Sequence, residues 1–247
     1  MDLLDSVEVP RREMVLFFVA DTSGSMHGTK IQSLNQAVKE VIPMLDEISS
    51  NNADAQIKIA TLVYSSGCKW LYDETKLVSD FIWQDLSSGG LTDLGAACLE
   101  LNNKLSSKAF MQTATGAFAP VIILMSNGEP TDDYNRGIEK LKENKWFNAA
   151  IKIAIAIGNE EANMEVLKEF TGSVESVIVV NNVEALKKII RLASVTASTI
   201  GSQSSTPGDK TKQQLVEEKI TEAAEEISGA ASAASADTVS LDDDDWD

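Results

Sequence analysis

Residues 14–25, which read MVLFFVADTSGS, decide the fold. The first seven, Met14–Ala20, form an apolar run of strand length without a turn residue, which is typical of a buried parallel strand. The carboxylate of Asp21 and the hydroxyls of Ser23 and Ser25 follow directly. Ligands of open α/β sheets bind beyond the carboxyl ends of the strands, and oxygen donors suit a hard cation such as Mg²⁺. In a loop, the same residues can also serve only turn and helix-capping chemistry.

Composition limits the class of protein. The 247 residues have room for one large domain with an appendage, and a hydrophobic content of 43% indicates a globular chain. No apolar run reaches the ~20 residues that a membrane span needs. The net charge of −17 argues against a nucleic-acid or anionic-membrane surface. The acidic start, Met1–Asp5, is unlike a signal peptide, and with two cysteines it favours a reduced, cytoplasmic protein.

Strand and helix patterns alternate along the chain. This order predicts an α/β fold with a doubly wound, mainly parallel β-sheet flanked by helices and one short antiparallel edge strand. The predicted strands are residues 14–20, 55–64, 69–72 (the edge strand), 119–125, 149–157 and 174–180. The predicted helices are residues 30–47, 91–108, 135–146, 164–170 and 183–195. Pro43 falls inside the first helix and is expected to kink it or end it early.

The pattern breaks near residue 199 and predicts three segments. Residues 1–12 form an N-terminal lead-in, residues 13–198 form the domain, and residues 199–247 form a linker, an amphipathic helix and an acidic tail that is largely disordered. Val216, Ile220, Ala223 and Ile227 share one face of that helix. The alternative for the tail, which ends in DDDDWD at residues 242–247, is a partner-binding segment that could also occupy the chain's own metal site.

Two further motifs are expected at the same sheet edge. Gly90–Ala97 reads GLTDLGAA and opens a helix, with Thr92 as a candidate ligand or simply the helix N-cap. Residues 126–132 read SNGEPTD and follow the third long apolar strand. In a doubly wound sheet, these loops and the Asp21 loop can converge.

With these three motifs, residues 13–196 resemble the von Willebrand factor A (vWA) domain family. The SNGEPTD stretch is most similar to the compact bacterial members linked to tellurium resistance and stress response. The resemblance implies a Rossmann-like fold with a metal-ion-dependent adhesion site at the carboxyl edge of the sheet. It implies as metal ligands, directly or through water, Asp21, Ser23, Ser25, Thr92 and Asn127, where Asn127 stands in place of the family's usual Asp.

The Asn at position 127 changes the expected chemistry. An amide keeps one carbonyl acceptor and loses the charge of a carboxylate. A site with Asp21 as its one carboxylate would bind Mg²⁺, Mn²⁺ or Ca²⁺ more weakly, and the ion would attract an Asp or Glu of a partner more strongly. The alternative is a degenerate site that is kept for protein contacts.

The resemblance implies a non-enzymatic binding module that recruits a protein partner, such as a kinase or phosphatase, in a stress-response or phospho-signalling assembly. We expect a monomer without nucleic-acid or membrane partners. One alternative is a metal-dependent hydrolase or phosphatase that uses Glu129, Asp132 or His27. Another is an accessory subunit of a separate ATP-driven chaperone or chelatase, because the chain lacks a glycine-rich phosphate loop.

Overall fold

The computed structural model describes residues 11–127, 129–158, 164–204 and 210–222. The strands are β1 (Arg12–Asp21), β2 (Ala55–Ser65), β3 (Gly67–Trp70), β4 (Lys76–Leu77), β5 (Val121–Ser126), β6 (Ile151–Ile157) and β7 (Val177–Val180). The helices are α1 (Thr29–Ser50), α2 (Leu94–Lys104), α3 (Tyr134–Lys142), α4 (Lys145–Ala149), α5 (Met164–Thr171), α6 (Val183–Gly201) and α7 (212–222). The predicted lead-in up to residue 10 and the acidic tail lie outside the described residues.

Within the described residues, the strands form one seven-stranded sheet in the order β3-β2-β1-β5-β6-β7, with β4 also paired to β2. The five central strands are parallel, and β3 and β4 run antiparallel to β2. The predicted doubly wound, mainly parallel sheet is confirmed. The sequence predicted one antiparallel strand, and the structure adds Lys76–Leu77, which is too short to show a strand pattern.

The central strand β1 is buried on both faces. Met14, Leu16 and Phe18 belong to the hydrophobic cluster under α1 and α6. Phe17 and Val19 point the other way, into the cluster under α2, α3 and α5. Because both faces need apolar residues, the strand is a continuous apolar run rather than an alternating pattern. In the part of the chain that is described, no helix combines the length and apolar character needed to cross a membrane.

Several helices differ from their predicted bounds: α2 is shorter than residues 91–108, α6 extends beyond residue 195, and two further differences have local causes. Helix α1 continues through Pro43 to Ser50, and buried Val41 and Leu45 pack on either side of the proline. The segment predicted as one helix over 135–146 is divided into α3 and α4 at Asn144, whose side-chain oxygen accepts the first N–H groups of α4. Tertiary packing overrides the proline in the first case, and a side-chain cap starts a new helix in the second.

Helix α7 packs on the domain beyond the predicted division at residue 198. Val216 and Ile220 are buried in the same cluster as α1 and α6. The Gln213 side chain bonds both the backbone N–H and the carbonyl of Lys152, at 2.9 and 3.0 Å. The Lys212 ammonium group donates to the carbonyl of Gly201 near the end of α6. The other two residues of the predicted apolar face, Ala223 and Ile227, lie outside the described residues.

We expect Val216→Asp to lower the free energy of unfolding by about 3 kcal/mol or more, because a charge would be buried without a partner. Urea denaturation measures this change. The matched control is Val179→Asp on β7, where the side chain is 52% exposed and the expected loss is about 0.5–1 kcal/mol. Equal losses in the two variants would mean that α7 does not pack on the domain.

Candidate metal centre

The predicted loops meet at the carboxyl edge of the sheet. Strands β1 and β5 are neighbours, with Ala20 paired to Met125, so Asp21 and Asn127 emerge side by side. The loop before α2 crosses the same place, because the N–H of Gly24 donates to the carbonyl of Gly90 at 3.0 Å. The three motifs therefore form one surface from residues more than 100 positions apart.

Asp21 is fully buried at the end of β1. One carboxylate oxygen accepts the N–H of Ser23 at 2.8 Å, and the other accepts the hydroxyl of Ser126 at 2.9 Å. Burial raises the pKa of Asp21, while the hydrogen bonds from Ser23 and Ser126 act in the opposite direction. No ion pair to Asp21 occurs among the residues that the structure describes. The ionised carboxylate therefore lacks a positive partner within the described protein.

The two serines and Asn127 are connected by hydrogen bonds. The oxygens of the Ser23 and Ser25 hydroxyls lie 2.9 Å apart, and the Ser25 hydroxyl donates to Asn127 Oδ1 at 2.8 Å. Ser23 is buried and Ser25 is exposed, so these hydrogen bonds lead from the interior to the solvent-exposed rim of the site. The structure thus brings four of the five predicted ligands, Asp21, Ser23, Ser25 and Asn127, into direct contact with at least one other.

Thr92 lies in the loop before α2, and its hydroxyl does not cap the helix. The carboxylate of Asp132 does so instead, accepting the N–H groups of Gly95 and Ala96 at 2.9 and 2.7 Å. The Thr92 N–H donates to the Thr131 hydroxyl at 2.9 Å. Within the described ranges the Thr92 hydroxyl has no hydrogen-bond partner, which leaves its oxygen open for a ligand. The N-cap alternative for Thr92 is wrong.

Two residues of the site were not predicted as such. Asp93 accepts the N–H of Gly67 at 2.7 Å and the hydroxyl of Thr131 at 3.3 Å, so it ties three loops together. Tyr64 pairs with Asp21 across the sheet, and its buried hydroxyl has no hydrogen-bond partner among the described residues. Burial and the nearby charge of Asp21 raise the pKa of Tyr64. The sequence offered a signal for Asp93, because it is an acidic residue next to the candidate ligand Thr92. It offered none for Tyr64, because a tyrosine inside a strand pattern indicates only a core residue.

A cleft of about 410 Å³ opens beside the Asp21 loop. It lies between β3 and residues 84–87, and its lining includes Thr22, Ser66 and Lys69. Lys69 is exposed, and it forms no ion pair with any described residue. The cleft therefore presents a free cationic group close to the candidate metal ligands.

The donor set fits a divalent cation. It consists of one carboxylate, three hydroxyls and one amide carbonyl, all of them oxygen ligands of the kind that Mg²⁺ accepts. The buried, unpaired Asp21 carboxylate and the free Thr92 hydroxyl both gain from a cation. In the described part of the chain, no group of three or more His, Cys, Asp or Glu could hold a metal ion. A richer, multi-carboxylate centre is therefore absent from that part.

Comparison with known proteins agrees with this fold. The sequence profile of the von Willebrand factor type A domain matches residues 16–192. The solved von Willebrand factor type A protein from Catenulispora acidiphila is 19% identical, with a TM-score of 0.57 over 76% of this chain and 43% of that one. Proximal thread matrix protein 1 from the mussel byssus, with a zinc-occupied MIDAS motif, is 17% identical, with a TM-score of 0.57 over 76% and 48%.

A curated relative is much longer. The human collagen alpha-6(VI) chain is 26% identical over 197 residues, which cover 76% of this chain and 8% of the relative. The chain therefore spans less than half of the two solved proteins and a small fraction of the collagen chain. The similarity concerns the domain and not the whole of these larger proteins.

We expect Asp132→Ala to lower the free energy of unfolding by about 1–2 kcal/mol, because two N–H groups at the start of α2 lose their acceptor. Thr92→Val is its control, since the Thr92 hydroxyl makes no hydrogen bond to described residues. It should change stability by less than about 0.5 kcal/mol. Chemical denaturation of both variants in EDTA measures the two values, and the reverse order would restore Thr92 as the helix cap.

Proposed function

Because the chain belongs to the von Willebrand factor type A domain family, we propose that it is a non-enzymatic module that recruits a protein partner through a divalent cation. Domains of this family bind metal ions and mediate protein–protein interactions. The observation that carries the proposal is the buried Asp21 carboxylate, which has no positive partner among the described residues and lies beside further oxygen donors, of which Ser25 is exposed. A cation there would neutralise Asp21 and face the solvent.

The proposed ligands, directly or through water, are Asp21, Ser23, Ser25, Thr92 and Asn127. The bound ion would supply an electrophilic position for a carboxylate oxygen. With one carboxylate in the set, the protein leaves half of the charge of a divalent ion uncompensated. A partner that brings an Asp or Glu therefore binds better than a neutral partner.

The surroundings of the site support a protein partner. Leu91 lies next to Thr92 and is 57% exposed, so it offers an apolar contact at the rim. The cleft with Lys69 can receive residues beside the partner's carboxylate, and a second acidic group there would meet a free ammonium group. A metal contact, an apolar contact and a charged contact together give orientation as well as affinity.

The reactive groups of the described chain favour binding over catalysis. Burial raises the pKa of the Cys98 thiol far above neutrality, and burial with the charge of Glu100 raises that of Cys68 to about 11. Neither thiol is therefore a ready nucleophile at neutral pH. Asp132 is engaged as a helix cap, and His27 is exposed on the rim. These features support a binding module rather than a hydrolase or phosphatase.

The cellular setting is the finer part of the proposal. Residues 126–132 support a bacterial stress-response or phospho-signalling scaffold like the tellurium-resistance members, with a kinase or phosphatase as partner. We place it in the cytoplasm as a monomer, with residues 13–198 as the metal-binding domain. Mg²⁺ is the proposed ion, with Mn²⁺ or Ca²⁺ as substitutes. Zinc is a further candidate, because the mussel protein's MIDAS motif holds it.

Thermal melting in EDTA and in millimolar Mg²⁺, Mn²⁺, Ca²⁺ or Zn²⁺ tests the metal. An ion at about ten times its dissociation constant should raise the Tm by about 3–6 °C. Asp21→Asn has nearly the same shape and should abolish the shift. In EDTA it should melt no lower than the wild type, because burial disfavours the charged carboxylate.

The Asp21→Asn variant also controls for ion binding by the many other carboxylates of this acidic chain. A shift that survives in this variant would place the ion elsewhere and reject the proposed site. A wild type that shows no shift with any of the four ions would reject metal-dependent recruitment as well.

A further inference from the structure

Asn127 and Ser25 are joined by two hydrogen bonds, although they are 102 positions apart. Asn127 Oδ1 accepts the hydroxyl proton of Ser25 at 2.8 Å, and Nδ2 donates to the Ser25 carbonyl oxygen at 2.7 Å. Asn127 is only 9% exposed, so water has little access to its side-chain amide. The pair ties the loop after β1 to the loop after β5.

A carboxylate could not make this pair. It has two acceptor oxygens and no donor, whereas the amide has one acceptor and one donor group. With Asp in place of Asn127, one carboxylate oxygen would face the Ser25 carbonyl oxygen at hydrogen-bond distance. Two acceptors in that position repel each other unless a proton or a cation lies nearby. The Asn127 amide therefore makes a contact that an aspartate could make only if it were protonated or if a cation were bound nearby.

The amide also orients the two serine hydroxyls. Ser25 gives its single hydroxyl proton to Asn127, so the proton between the two serines must come from Ser23. The order of donation, from Ser23 to Ser25 to Asn127, is then complete within the protein. Three of the five proposed ligands are held in one arrangement by neutral hydrogen bonds.

We propose that Asn127 is a brace that keeps the two loops in their binding arrangement without a metal ion. This inference rests on the proposed function, which says what the site binds. It adds how the two loops of the site are held together before an ion binds. The surface is assembled before any ion arrives, and the ion adds affinity for a partner carboxylate instead of ordering the loops. Asn127→Asp reverses this behaviour, since the loops then need the ion to stay together.

Amide hydrogen exchange of residues 22–28, measured in EDTA and in Mg²⁺, tests the brace. The variants are Asn127→Asp and, as the matched control, Asn35→Asp. Asn35 is 8% exposed, and its amide likewise donates to a backbone carbonyl, that of Leu86, at 2.9 Å. Its Oδ1 accepts the N–H of Leu86 and the indole N–H of Trp83. The control repeats the same chemical change at a place without proposed metal ligands.

In the wild type, residues 22–28 should be protected in EDTA, and Mg²⁺ should change their exchange by less than about two-fold. In Asn127→Asp, their exchange in EDTA should rise by about ten-fold or more, the effect of losing the bonded pair. Mg²⁺ should reverse that rise. In Asn35→Asp, residues 83–86 should exchange faster, and Mg²⁺ should not restore them.

Two results would overturn the brace: a wild-type loop that is protected only when Mg²⁺ is present, or an Asn127→Asp loop as protected in EDTA as the wild type. If Asn127→Asp does not fold in EDTA, Asn127→Ala serves instead and should loosen residues 22–28 in both buffers. Unchanged protection in that variant would also reject the brace. A protected wild-type loop in a protein whose melting no ion shifts would keep the brace and reject the metal-binding proposal, so the two ideas fail separately.

Discussion

The double burial of β1 is the constraint on which the site depends. The strand is paired along both edges and packed on both faces, so a shift of one residue would turn all its apolar side chains to the wrong side. The register of β1 therefore fixes the position of Asp21, the last residue of the strand, relative to the neighbouring strands. Tyr64 on β2 is paired with Asp21, and Ser126 follows Met125, the last residue of β5 that pairs with β1. The base of the site is set by core packing and not by the loops.

The floor of the site contains hydroxyl groups and no cation from the described residues. Ser126 donates to Asp21, and the buried hydroxyl of Tyr64 lies on the same face of the sheet. Hydroxyl dipoles orient the carboxylate but do not cancel its charge, which explains why burial remains the main influence on the pKa of Asp21. No described residue forms an ion pair with Asp21, and the site opens toward the exposed side chain of Ser25. This asymmetry connects the core to the proposed metal chemistry.

Much of the fold was accessible from the sequence, because long apolar runs and helical periodicity report burial directly. Residues 14–20 and 119–125 predicted two buried strands; the structure shows that these strands are neighbours and that the polar loops after them meet at one edge. What the sequence could not show depends on side-chain bonds between distant residues. Asp132 caps a helix that begins 38 positions earlier, and Gln213 bonds the backbone of Lys152. Such contacts leave no period in the sequence, so Thr92 was the candidate considered for the helix cap, as an alternative to a metal ligand, and the packing of α7 stayed unknown.

Asn127 illustrates the same limit in another way. Its identity was visible as a departure from the family pattern, and the loss of one charge followed from chemistry alone. The sequence could not show that the NH₂ group of Asn127 donates a hydrogen bond to the Ser25 carbonyl, because this contact appears only in the structure. The Asn at position 127 removes one negative charge from the ligand set, and it adds a hydrogen bond that connects the two loops.

Helix α7 lies at the end of the domain opposite the candidate metal ligands. Its contacts with Lys152, at the start of β6, and with Ser176, just before β7, place it at the amino edge of the sheet, opposite the loops that carry Asp21 and Asn127. Glu222, the last described residue of α7, lines a surface pocket together with Glu175, which precedes β7 at the same edge. A protein fused directly after residue 222 would therefore begin at the amino edge of the sheet, separated by the length of the strands from the edge that carries the candidate metal ligands.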